Sequence, residues 1–112
     1  MNIAHFYKKK IKENKNDIFL FDENFSITYH DFDCYVNNCV KYLNSISNKE
    51  FTVMSLLPNS IDQLIIFTAS FLSGKNFCPL DCDSSNIEIQ EVLNIVKPKL
   101  IFTSSLVKNF KK

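Results

Sequence analysis

The stretch from Phe51 to Asp81, FTVMSLLPNSIDQLIIFTASFLSGKNFCPLD, constrains the fold more than any other part of the chain. Phe51 to Leu57 is almost continuously apolar. Such a run suits a strand covered on both faces, as in a parallel sheet. Pro58 and Asn59 break it. Ser60 is placed to cap a helix, with Gln63 at the capping-box position. Ile61, Leu64, Ile65, Ala69, Phe71 and Leu72 are expected to bury much of that helix, and Gly74 to end it in a left-handed turn. Phe77 to Leu80 reads as a short second strand. Pro79 lacks an amide donor, so it belongs at a sheet edge or a strand end.

The flanking segments extend the same pattern. Residues 1–16 read as a short helix or arm, in which Ile3, Tyr7 and Ile11 recur every four residues and share one face. Lys8, Lys9 and Lys10 within it read as a solvated face. Ile18 to Phe21 and Phe25 to Tyr29 are rich in β-formers, and Asp22-Glu23-Asn24 between them is a polar turn, which predicts a hairpin. In its second strand Phe25, Ile27 and Tyr29 are expected on one face. Thr28 with Asp31 three residues on opens a helix in a capping box. Phe32, Tyr35, Val36, Cys39, Val40 and Leu43 form its apolar stripe. Downstream, Ser85 and Glu88 open a third helix, with Ile89, Val92, Leu93 and Val96 on one face and Pro98 closing it. Lys99 to Thr103 reads as another strand. Leu106, Val107 and Phe110 follow, then Lys111 and Lys112. Strands alternating with helices predict an α/β fold: an N-terminal β-hairpin followed by βα units with right-handed crossovers and a mostly parallel sheet. Residues 17–112 form the domain proper in this reading.

Composition excludes several function classes. A net charge of +1 offers no electrostatic footprint for nucleic acid. No apolar run reaches the ~20 residues of a membrane helix. The longest, Ile61 to Leu72, is interrupted by Asp62, Gln63, Thr68 and Ser70. The N-terminus carries no apolar signal region, which reads as a cytoplasmic chain. Cys34, Cys39, Cys78 and Cys82 lack zinc-ligand spacing and are expected to be small, mostly buried hydrophobes.

Several segments resemble the first core motifs of the AMP-forming adenylate ligases, which include acyl-CoA synthetases and the adenylation domains of peptide synthetases. Ile27-Thr28-Tyr29-His30-Asp31-Phe32 resembles their T-Y-x-E-L segment. Leu57-Pro58-Asn59-Ser60 matches L-x-N-S, and Phe71 through Asp81 resembles L-x-x-G-x-x-x-x-P-L-D. Lys97-Pro98-Lys99-Leu100-Ile101-Phe102 resembles K-P-K followed by a strand. The matches keep family order over residues 17–105. Asp31, Phe32, Phe71 and Cys78 are mild departures. The resemblance implies an incomplete N-terminal subdomain of the ligase fold. The complete family enzyme joins a carboxylate to ATP, with magnesium, to give an acyl-adenylate and then a thioester. Its Ser/Thr/Gly-rich phosphate loop, its acidic metal residue and the lysine of its C-terminal domain have no match here.

Residue by residue, the site candidates have bland readings. His30 beside Asp31 could act as a general base, but a first-turn histidine is ordinarily exposed and idle. Asp81 and Asp83, with Ser84 and Ser85, could hold a cation or a phosphate, yet aspartates in a capping loop ordinarily bond locally. Asp22 and Glu23 read as turn residues. With one glycine, Gly74, the chain cannot build a glycine-rich phosphate cradle. No catalytic, cofactor-binding or metal residue is therefore assigned, and no cofactor is expected on this segment alone. Two functions remain open. One is a truncated or split N-terminal piece of an adenylate-forming ligase, inactive alone or completed by a second chain. The other is a free-standing α/β binding module.

Overall fold

The computed structural model describes residues 3–21 and 26–104. The elements run α1 (Ile3–Glu13), β1 (Ile18–Phe21), β2 (Ser26–Thr28), α2 (Tyr29–Ile46), β3 (Thr52–Leu56), α3 (Ile61–Leu72), β4 (Asn76–Leu80), α4 (Asn86–Val96) and β5 (Leu100–Phe102). The predicted turn at Asp22, Glu23 and Asn24 falls outside the described residues, as do Leu106, Val107, Phe110, Lys111 and Lys112.

β1 and β2 form the antiparallel hairpin. Its register slips between Ile18↔Thr28 and Leu20↔Ile27, so one extra residue bulges from β1. The expected strand face of Phe25, Ile27 and Tyr29 needs correction. Tyr29 already belongs to α2, because Thr28 caps the helix by accepting the Asp31 amide N–H at 3.1 Å. Tyr29 instead stacks on Phe19 with ring centroids 4.5 Å apart.

β3, β4 and β5 make a parallel sheet in the order β4-β3-β5. The crossover from β3 moves one way along the sheet and the crossover from β4 moves back past β3. Right-handed connections then put α3 and α4 on opposite faces. Side chains alternate along β3. Val53 and Leu57 join the main core with Phe32, Val36, Cys39 and Leu43 of α2 and Ile61, Ile65, Ile66 and Ala69 of α3. Met54, on the opposite pleat, is also fully buried, so the α4 side of the sheet is covered there.

Asn76 N–H donates to Phe51 O at 2.9 Å, so the backbone groups of Phe77 and Pro79 face the outer edge of β4. On the far side, Lys99 N–H donates to Thr52 O at 2.9 Å, which turns Leu100 and Phe102 outward along β5.

The helix ends follow local chemistry. Gln63 N–H donates to Ser60 Oγ at 3.3 Å, and Glu88 N–H to Ser85 Oγ at 3.2 Å. The Ser85 hydroxyl also donates to Glu88 Oε1 at 3.2 Å, whereas Gln63 turns its Oε1 to β3 and accepts the Ser55 hydroxyl at 2.7 Å. Gly74 ends α3 at φ 72°, as expected. Lys97 ends α4 in the same left-handed region at φ 50°, a position its β-carbon disfavours and the sequence does not advertise.

Two burial expectations are corrected. Phe71 is half exposed, while Ile66 and Ser70 are buried. The inner stripes of α3 run 61-65-69 and 62-66-70, which leaves Phe67 and Phe71 facing outward. Of the four cysteines only Cys39 is buried. Cys78 is half-buried, and Cys34 and Cys82 are exposed. Cys34 lies beside, not on, the Phe32–Val36–Cys39–Leu43 stripe, and Cys82 sits in the loop after β4.

Burial pushes the Cys39 thiol up to about 12 from its ordinary 9.0. Between these values the unfolded chain sheds a proton that the folded chain keeps. Stability therefore falls by about 1.4 kcal/mol per pH unit above pH ~9. Tyr7 acts in the same direction above its ordinary range: partial burial, then the charge of Asp33 and its hydrogen bond, raise its hydroxyl. Denaturant titrations at pH 8 and pH 10.5 should show the lower midpoint at pH 10.5. Under native conditions a thiol reagent should modify Cys34 and Cys82 at once and reach Cys39 only on unfolding.

Candidate functional site

In an open α/β sheet, ligands favour the crevice where neighbouring strands send their connections to opposite faces. Here that point lies between the carboxyl ends of β3 and β4. A crevice of about 240 Å³ opens there, lined by Leu57, Pro58, Asn59, Gln63, Pro79, Leu80 and Asp81. Pro58 and Asn59 leave β3 for the Ser60 cap of α3. Pro79 and Leu80 end β4, and Asp81 begins the loop to α4.

The polar groups at this crevice are partly committed. Gln63 Oε1 holds the Ser55 hydroxyl. Asp81 Oδ1 accepts the Asp83 amide N–H at 3.0 Å, and Asp81 O accepts the Ser84 N–H at 3.0 Å, a local turn. The ligand atoms of Asp81, Cys82 and Asp83 lie within 4.8 Å of one another, and all three residues are exposed. Open to water, such a group has no desolvated cage with which to outcompete hydration of a cation. Its negative charge also opposes a phosphate.

The structure gathers few of the sequence candidates. Asp81 and Asp83 stand together on the β4–α4 loop, beside the crevice. Ser85 is occupied as the α4 cap. His30 is exposed in the first turn of α2, its Nε2 3.6 Å from Cys34 Sγ one turn on. Asp22 and Glu23 lie outside the described residues.

Two arrangements had no sequence signal of their own. Lys75 is buried, and its Nζ donates to Ser47 O at 2.9 Å and Lys49 O at 2.8 Å. It also lies 4.8 Å from the Phe51 ring centre. Tyr7 donates to Asp33 Oδ1 at 3.1 Å and ties α1 to α2. Both read as structural fastenings. Among the described residues no helix is long and apolar enough to cross a membrane.

The family model described as "AMP-binding enzyme" matches residues 7–112. The chain belongs to the AMP-binding enzyme family. A curated relative, an uncharacterized acyl-CoA ligase (YhfT) of Bacillus subtilis strain 168, is 31% identical over 109 residues, which is 97% of this chain and 23% of that protein. Among solved structures, VinN in complex with L-aspartate superimposes at a TM-score of 0.84 and 16% identity, over 92% of this chain and 29% of that one. The N-terminal subdomain of Klebsiella oxytoca NpsA, bound to 3-hydroxyanthranilyl-AMSN, gives 0.81 and 18%, over 96% of this chain and 31% of that one. This member of the AMP-binding enzyme family thus has the fold of part of the ligase N-terminal subdomain. It spans about a quarter to a third of the length of these relatives.

Proposed function

We propose that this chain is the N-terminal piece of an adenylate-forming ligase, an enzyme that joins a carboxylate to ATP with release of pyrophosphate and passes the acyl group to a thiol. The observation that carries the reading is the pairing of a family match over residues 7–112 with coverage of only 23% of the Bacillus relative. In this reading α1 and the hairpin close one end of the scaffold, and residues 17–112 build a wall of the subdomain. The piece has no catalytic, cofactor-binding or metal residue of its own. ATP and magnesium are handled by the remaining part, carried further along the same polypeptide or on a second chain, in the cytoplasm.

The residues present support this division. A phosphate cradle needs consecutive amides that approach the ligand closely, which glycines permit. The chain has one glycine, and Gly74 is spent as the α3 stop. ATP–pyrophosphate exchange over a panel of carboxylic acids tests the proposal. The 112-residue chain alone should give no exchange above a blank. Exchange by the chain alone would overturn it. Co-expression with a downstream ligase segment should restore activity if the two associate.

A further inference from the structure

Cys34 on α2 and Cys82 on the β4–α4 loop are both exposed thiols, but their neighbours are opposite in character. Cys34 follows His30 by one helical turn, so both side chains leave the same outer face of α2. Cys34 Sγ lies 3.6 Å from His30 Nε2, within the reach of a sulfur hydrogen bond. The backbone beneath the pair is held in place. Phe32, Val36 and Cys39 are buried on the inner side of the helix, and His30 N–H donates to Lys15 O at 2.9 Å. The charged neighbours on this helix are Asp31, Asp33 and Lys41. The Asp33 carboxylate is taken by Tyr7 and Asn37, and Asp31 and Lys41 are exposed. Cys82 stands between Asp81 and Asp83, and the three ligand atoms lie within 4.8 Å of one another in a group that contains no histidine.

A thiol reacts as its thiolate. A nucleophile with a base in hydrogen-bond reach is the arrangement that delivers one. His30 Nε2 can accept the Cys34 proton, and the imidazolium then lies beside the charge left on sulfur. Asp81 and Asp83 do the reverse at Cys82, since two carboxylates oppose a third negative charge. We propose that Cys34 is the preferred site at which this chain forms a mixed disulfide with a small-molecule disulfide, with His30 as the group that takes its proton. The Cys34 sulfur attacks one sulfur of the small disulfide, and the bond between its two sulfurs breaks. The other half leaves as a thiolate and receives the proton held on His30. One disulfide is consumed, and one mixed disulfide and one free thiol are formed. Cys34 is oxidised and the departing half is reduced. The inference stands apart from the ligase reading, since neither residue lines the crevice between β3 and β4.

The test exposes the 112-residue chain to bis(hydroxyethyl) disulfide, an uncharged probe that local charges neither attract nor repel. Peptide mass spectrometry follows which cysteine is modified over time. Cys34 should react about fivefold faster than Cys82. In His30→Ala the Cys34 rate should fall by about the same factor, while the Cys82 rate stays as it was. His30 is exposed, and circular dichroism checks that the variant remains folded. Equal or reversed rates at Cys34 and Cys82 in the wild-type chain, which need no variant, would overturn the proposal. An unchanged Cys34 rate in His30→Ala would also overturn it, by making exposure alone the cause.

Discussion

Phe32→Ala is expected to lower the stability of the chain by about 3–5 kcal/mol, the range for removing a fully buried aromatic ring. Phe32 is 1% exposed. Its ring meets Phe19 of β1 edge-on at 5.0 Å and Tyr7 of α1 at 6.4 Å. It is therefore where helix α2, the hairpin and α1 close on one another. Truncation leaves a cavity walled by three separate elements, none of which can collapse without moving the others. A domain of this size has about 5–15 kcal/mol in total, so the variant should lose a large share of its stability and unfold at a much lower urea concentration. Urea denaturation followed by circular dichroism measures it. A midpoint within experimental error of wild type would show that α1 and the hairpin do not depend on this ring.

Lys75→Ala should cost about 3 kcal/mol, from two charge-assisted bonds lost and two carbonyls left short of donors. Lys75 is 6% exposed and reaches from the start of β4 to Ser47 and Lys49, the segment in which α2 ends. Carbonyls of the connection that leaves a helix need a donor where the fold covers them, and here it is a lysine 26–28 residues away in sequence. Lys75→Met separates the two contributions: it keeps the apolar stem over Phe51 but removes the donors, and it should recover only a minor part of the loss. Thermal unfolding reads both variants, with a drop on the order of 10–20 °C for alanine. Full recovery by methionine would mean that packing on Phe51, not the two bonds, is what matters.

The parts of the fold that were legible in the sequence are those written locally. Thr28, Ser60 and Ser85 each cap the helix that follows, and Gly74 stops α3. Each signal lies within a few residues of its effect. The stripe of α2 was equally plain, because its period is fixed by the helix itself. Long-range pairing was not legible. Nothing in Leu100-Ile101-Phe102 says that it pairs with β3 and not with β4, and that choice creates the crevice between β3 and β4. Gln63 suits a capping box by spacing, but Ser55 across the turn takes its Oε1. Lys75 reads as an ordinary polar residue after a glycine until the end of α2 is folded beside it. The family resemblance was legible because motif order survives where identity to solved structures is only 16–18%. Asp81 and Asp83 were visible as residues, but their place beside a crevice depends on strand order.

The two rims of the parallel sheet differ in a way that bears on self-templating. Along β4 the outward backbone positions are Phe77 and Pro79, and proline brings no N–H, so a foreign strand arriving there finds a broken ladder. Along β5 the outward positions, Leu100 and Phe102, both bring donors. Strand addition, whether by a legitimate continuation or by another misfolded copy, is thus biased to one side. Growth of the sheet has a direction, and the side that is open to productive assembly is also the side from which aggregation would start.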